Sequence, residues 1–485
     1  MNLRLILKEL RPTLALAFPI IVGQLSQMLM GVADSVMVGR LGAVPLAASA
    51  FVGVLFTAGF MVGIGILASV SVLVARTHGA KQSRECAEYV RHGMWLALFL
   101  SVAGCALLFA LIPWLGHFGQ PPEVLAAVRP YLELIAVSLV PTLLFQVLRQ
   151  FSEAVGHPWA GMVILLSSVA LNVLLNWILI YGNWGAPALG LAGAGWATLA
   201  ARIVSLVALW WWLSGRETFR AEWPGKAGGG HRLRAELRAS ASAPHVGEPR
   251  SGSTAGRDLS ENSAWFARLS WSHLREMLAL GVPVAVQLVF EGGAFAMASL
   301  MMGWIGTVPL AANQIALNCS GFTFTIPLGL SIALAMRVGR TVGEGQRGAL
   351  RPIVIGAQAV GAGYALCSLI AFVLAGRLIA SGFTPDLPVV ELATRLLIVA
   401  AVFQLFDGGQ VIASGGLRGL ADVKVPTVII GVVYWVIGMP AAYVFGVRLL
   451  EPLHVWVGLA CALSLASILL TRRLYVRIGQ MERAA

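Results

Sequence analysis

The sequence predicts an all-α integral membrane protein whose twelve transmembrane helices form two pseudo-symmetric six-helix lobes. Three observations predict it: an apolar composition, a series of long charge-free intervals, and an internal repeat displaced by 264 residues. Of the 485 residues, 58% are hydrophobic and 12% charged, with a mean hydropathy of +0.82. Ordinary soluble domains carry about 25% charged residues, so a soluble globular chain and a disordered one are both excluded.

The helices follow from where charge is missing. No Asp, Glu, Lys or Arg occurs from Leu41 to Ala75, from Gly93 to Pro122, or from Ala154 to Ala201, and Met277 to Met336 holds Glu291 alone. A bilayer core of about 30 Å needs roughly 20 apolar residues per helix, so the longer runs hold two helices. Turn-forming breaks divide them at Tyr181 to Pro187 and at Gly303 to Pro309. The resulting spans lie near 12–38, 46–75, 92–114, 130–148, 160–181, 190–213, 278–303, 309–336, 352–376, 395–416, 426–447 and 453–471.

Loops on the side of the termini hold 28 Lys and Arg and the opposite loops five, so positive-inside bias places both termini in the cytoplasm. The net charge of +12 therefore belongs to cytoplasmic loops that meet anionic lipid, and it gives no support to a nucleic-acid partner. Residues 214–273 are polar and rich in Gly, Ser, Pro and Arg, and read as a cytoplasmic linker between an N-lobe at 1–213 and a C-lobe at 274–485. Trp265 to Met277 reads as an interfacial helix leading into the seventh span. No cleavable signal peptide is evident, and the cysteines at 86, 105, 319, 367 and 461 form neither a disulfide framework nor a zinc motif.

The repeat is explicit in the residues. A shift of 264 places Leu14-Ala-Leu-Ala-Phe-Pro19 on Leu278-Ala-Leu-Gly-Val-Pro283, and Gly39 to Ala48 on Gly303 to Ala312. It continues to Arg76-Thr-His-Gly79 on Arg340-Thr-Val-Gly343. Six spans per unit give both halves the same orientation, with a pseudo-twofold along the membrane normal, an arrangement typical of transporters.

Three acids fall deep in apolar spans, Asp34, Glu291 and Asp407, and by these boundaries Arg202 is the one base inside the membrane. A charge at a helix centre costs about 2.5–3.5 kcal/mol even on lenient scales. One arginine cannot pair three acids, so the others must be protonated, bind a metal cation or hold a cationic substrate. Glu291 and Asp407 are each followed by two glycines, which permit bending or close approach. Asn172 and Asn176 share a helix face, and their carbonyls suit a hard cation. No HExxH, GxSxG or Walker A motif is present, so an enzyme is not expected.

The duplicated Pro…Gly-x-x-Gly-x-x-Pro-Leu-Ala-Ala pattern, with Asp34, Asn172, Asn176, Glu291 and Asp407 in order, resembles the multidrug and toxic compound extrusion (MATE) family, in its bacterial NorM-like branch. The resemblance covers the chain apart from 214–273. It implies a V-shaped pair of lobes in the bacterial inner membrane that exports small organic cations, drugs and dyes, in exchange for H+ or Na+, with no cofactor. It also implies a cation site at Glu291 and Asp407, which would be the Na+ ligands if sodium is the coupling ion, and a second site at Asp34, Asn172 and Asn176. Pro19 becomes a hinge in the first helix, and Gln27, Gln314, Asp386 and Phe403 become substrate contacts. Sodium-coupled members that resemble this chain carry a tyrosine where it has Phe403, so proton coupling gains. A monomer in membrane lipid is the expected state. The alternative is a lipid-linked oligosaccharide or polysaccharide flippase of the same superfamily, whose cavity would be basic.

Overall fold

Charge-free runs of this length leave the backbone no partner but itself in lipid, and the chain satisfies it with helices. The computed structural model describes residues 3–119, 121–219, 222–224, 265 and 269–484. Among these, twelve helices are long and apolar enough to cross a membrane: α1 Arg4–Gly39, α2 Ala43–Gly79, α3 Ser83–His117, α4 Pro122–Ala154, α5 Pro158–Tyr181, α6 Leu191–Gly215, α7 Trp271–Ile305, α8 Thr307–Gly343, α9 Arg347–Phe383, α10 Leu387–Gly419, α11 Lys424–Val447 and α12 Pro452–Arg483. The count agrees with the sequence expectation, but most helices run past the apolar stretch. The 37 residues of α2 span about 55 Å, so its ends project beyond the hydrocarbon into the interface.

Gly42 and Gly306 are 264 apart and precede α2 and α8 as their N-caps. Gly42 has φ 118°, which glycine tolerates without a Cβ clash. The two bundles, α1–α6 and α7–α12, meet chiefly where α1 and α2 lie on α7 and α8. Along α2 the buried residues gather between Gly63 and Gly79, whereas only Ala48 and Val52 are buried nearer its start. The bundles therefore close on each other at the end that carries both termini, and spread toward the other end in a V.

Small residues make the closure. A Cβ on Gly79 would strike the carbonyl of Arg340, and one on Gly343 that of Arg76. Deeper in, Gly65 lies on Ala285, and Gly329 lies on Ile21. Each pair maps onto its mate by the same 264 shift, so the duplication is expressed as reciprocal contacts. Polar links cross the same end: Arg337 donates to Glu9 at 2.6 Å, Tyr89 to Glu276 at 2.5 Å, and the Ser270 N–H to His92 Nε2 at 2.8 Å.

Irregular turns interrupt α4 and α11. Pro141 has no N–H to donate to the preceding turn, and α4 breaks at Ser138 between segments Pro122–Val137 and Leu139–Ala154. α11 carries wide π-helical turns at Val432–Gly438 and Tyr443–Val447.

The seventh helix begins at Trp271 and runs unbroken into the membrane span, so the Trp271 to Met277 part of the expected interfacial helix belongs to the helix of that span. Phe219 and Trp223, assigned to the linker, are instead buried beside Phe151, and Trp265 stacks near Trp210 and Trp223. Of the linker expectation, 220–221, 225–264 and 266–268 lie outside the described residues.

Candidate functional site

Two polar clusters stand in the apolar interior. The first lies in the first bundle. α1 brings Asp34 against α5, where Asn176 Nδ2 donates to Asp34 Oδ1 at 2.6 Å and to Asn172 Oδ1 at 3.2 Å. Asn172 Nδ2 in turn donates to Thr198 on α6 at 3.4 Å, and the Thr198 hydroxyl donates to Asp34 Oδ2 at 3.5 Å. Both asparagines are wholly buried. Asp34, Asn172 and Asn176 are thus joined as the spacing suggested, with Thr198 an addition that the sequence did not single out. Arg202 points elsewhere: Nη1 donates to the Ser138 hydroxyl at the α4 break at 2.5 Å, and the guanidinium lies 4.5 Å from the Phe56 ring centroid.

The second cluster lines a cavity of about 390 Å³ between the bundles. Glu291 on α7 accepts from Gln287 Nε2 at 3.2 Å and from Gln410 Nε2 at 2.9 Å, both on Oε1. Gln410 accepts from the Tyr434 hydroxyl at 3.1 Å, and the π-helical turn of α11 is what carries Tyr434 to that position. Asp407 on α10 lines the same cavity, 7% exposed, and makes no hydrogen bond or ion pair among the described residues. Phe403, one turn before it, is buried in the cavity wall against Phe295 and Trp456. The lining is otherwise mostly apolar, with Met61, Leu288, Phe324 and Leu328 on its walls.

The charge balance of the interior differs from the sequence expectation. Because α4 and α10 run past their apolar stretches, Arg149, Glu153 and Arg418 line the cavity rather than sitting in cytoplasmic loops. Arg202 is therefore not the single base within the helices. Arg149 and Glu153 are each 3% exposed and form an i,i+4 pair at 3.6 Å, while Arg149 Nη1 donates to Gln24 on α1 at 3.2 Å. The sequence signal was the i,i+4 spacing itself, hidden because a window of apolar residues ends the span before it.

The remaining expected residues are not brought to either cluster. Gln27 is half-buried on α1 away from the cavity lining, Gln314 is exposed and bonds Asn318 at 3.3 Å, and Asp386 is an exposed residue capping the start of α10. Pro19 is buried in an α1 that is helical on both sides of it, and its missing N–H leaves one backbone carbonyl of the preceding turn without its helical partner.

A family model described as MatE matches residues 19–178 and again 283–444. The chain belongs to the MatE family. The two matches begin 264 residues apart, the displacement of the repeat. Family membership makes the chain a membrane transporter rather than an enzyme. It is 32% identical to the probable multidrug resistance protein NorM of Agrobacterium fabrum, over 98% of this chain and 95% of the relative. It is 30% identical to the multidrug resistance protein MdtK of Edwardsiella ictaluri, over 96% and 95% of the two chains. A solved outward-facing conformation of a multidrug resistance MATE family transporter of the MOP superfamily superposes with a TM-score of 0.82, covering 98% of this chain and 97% of that one. At 19% identity that likeness speaks to the fold alone.

Proposed function

We propose that this chain is a multidrug efflux antiporter of the bacterial inner membrane, which exports organic cations in exchange for H+ or Na+. The observation that carries the reading is the placement of Glu291 and Asp407 together on a largely apolar cavity, with the Asp407 carboxylate free of any protein partner among the described residues. An uncompensated carboxylate in an apolar wall attracts a cation strongly, and an aromatic lining accommodates the flat bodies of amphiphilic cations. A proton and a cationic drug then compete for one group, which is the elementary requirement of exchange. The transmembrane potential adds about 2.3 kcal/mol per charge per 100 mV.

Proton coupling fits the residues better than sodium. A hard metal cation calls for several oxygen ligands, and the turn before Asp407 presents Phe403, which has no hydroxyl to offer. The Asp34 cluster supplies a third acid, at a second site, whose hydrogen bonds from Asn176 and Thr198 depend on the position of α1. In this reading both termini face the cytoplasm, the closed end is the cytoplasmic end, and the V opens outward. Gln27, Gln314 and Asp386, away from the cavity, are left to the path a substrate takes in or out. The protein acts as a monomer in lipid with no cofactor, in three parts: an N-lobe at 1–213, a cytoplasmic linker at 214–273 and a C-lobe at 274–485.

Arg149 and Arg418 give the flippase alternative a specific foothold, since a pyrophosphate cargo needs basic groups. Three acids on the same lining outnumber them, and Arg149 is already beside Glu153. Ethidium efflux from everted vesicles under an imposed pH or sodium gradient tests the proposal. Export under a pH gradient that is lost in Asp407→Asn supports it, and export under neither gradient overturns it.

A further inference from the structure

The outer face of α1 is basic at its start and apolar further on. Arg4, Leu7, Lys8 and Arg11 share one helical stripe, and the same stripe continues as Leu14 and Phe18. All six side chains are exposed, and the three bases have no hydrogen-bond or ion-pair partner among the described residues. Where α5 begins beside α1, Trp159 turns the stripe into a groove of about 480 Å³, with Leu7, Arg11, Leu14 and Phe18 on its lining. The Trp159 ring lies 6.0 Å from that of Phe18, and its indole N–H has no hydrogen-bond acceptor among the described residues.

In a bilayer such a groove meets acyl chains, and a base at its mouth meets the phosphate that heads them. A guanidinium matches phosphate oxygens through two parallel hydrogen bonds. Tryptophan suits the level between headgroup and hydrocarbon, where its N–H can donate to an ester oxygen. Three unpaired positive charges oppose the ammonium of a zwitterionic headgroup and favour one that is anionic. The second half does not repeat the surface, since the 264 shift lays Lys8 on Ser272 and Phe18 on Val282. Topology would be served by bases anywhere on this side of the membrane, whereas these stand on the helix face that carries the groove.

We infer that the seam between α1 and α5 is a selective binding site for an anionic phospholipid. One acyl chain lies along Leu14, Phe18 and Trp159, the phosphate sits on Arg11, and Lys8 and Arg4 supply the excess positive charge that selects the headgroup. The occupant comes from the leaflet at the end bearing the termini. The site lies on the outside of the first bundle, apart from the central cavity, and does not depend on what that cavity carries.

The test places the full chain in phosphatidylcholine nanodiscs containing a rising fraction of brominated phosphatidylglycerol or of brominated phosphatidylcholine, and reads quenching of tryptophan fluorescence. Subtracting the signal of Trp159→Phe isolates Trp159. Half-quenching of Trp159 is expected at about a tenfold lower fraction of the anionic lipid than of the zwitterionic one. A basic residue near an anionic surface contributes about fivefold in affinity, so Arg11→Gln should cut that preference about fivefold, and Arg11→Lys should recover part of it. Lys8→Gln should act in the same direction and serves as the independent variant if Arg11→Gln does not fold. Equal quenching by the two lipids would overturn the inference and make the seam ordinary boundary. A preference left unchanged in both Arg11→Gln and Lys8→Gln would overturn it too, as would relief of the quenching by free glycerol phosphate, which would mark a phosphate site that needs no acyl chain.

Discussion

Gly79 rests on the backbone carbonyl of Arg340, and the repeat returns the contact, Gly343 resting on that of Arg76. Backbones come this close only where no Cβ intervenes, so the pair sets how tightly the bundles meet at the end bearing both termini. Gly343→Val is expected to pry α2 from α8 there, lowering stability by about 1–3 kcal/mol. Spin labels on the two helices should report a longer distance with a lower melting temperature. An unchanged distance distribution would show that other contacts hold that end shut.

Asn176→Ala removes the 2.6 Å donor to Asp34. Hydrogen bonds to charged groups contribute about 1.5–3 kcal/mol, so turnover should fall about tenfold or more. Dye affinity should barely change, because this cluster lies outside the central cavity. A loss of affinity equal to the loss of turnover would contradict the separation of the two clusters.

Tyr434 reaches Glu291 only through Gln410, whose two ends are engaged at 3.1 and 2.9 Å. Tyr434→Phe should reduce efflux several-fold, and Gln410→Ala should reduce it further. Adding the first change to the second should cost nothing more, since residues acting through one shared bond are not additive. Independent, additive losses measured by initial efflux rates would show that Tyr434 acts by another route.

Phe403→Tyr places a hydroxyl one turn before Asp407, in a wall packed by Phe295 and Trp456. Efflux by the wild-type protein should follow a pH gradient with little response to sodium, and the variant should gain a sodium response. Vesicles in which sodium alone drives the wild-type protein as strongly as protons would count against proton coupling.

The helices were legible because an absence of charge over some 20 residues has one physical solution in lipid. Glu291, Asp407, Asp34, Asn172 and Asn176 were legible because each is expensive where it stands. Arg149, Glu153 and Arg418 were not, for the same reason inverted. They occupy helix ends, where a charge is cheap by rule, and only tertiary closure of the V turns that interface into an interior. Tyr434 was hidden differently. A tyrosine in an apolar span is ordinary, and its link to Glu291 depends on π-helical turns that no residue pattern in α11 announces. Gln410 had a faint signal, since the 264 shift lays it on Gln146, which lines the cavity.

Trp265 lies within 5.1 Å of the Trp210 ring centroid and 5.9 Å of that of Trp223. The end of the first half and the start of the second are therefore fastened to each other by side chains at one aromatic knot, a tie made through space in addition to the peptide chain.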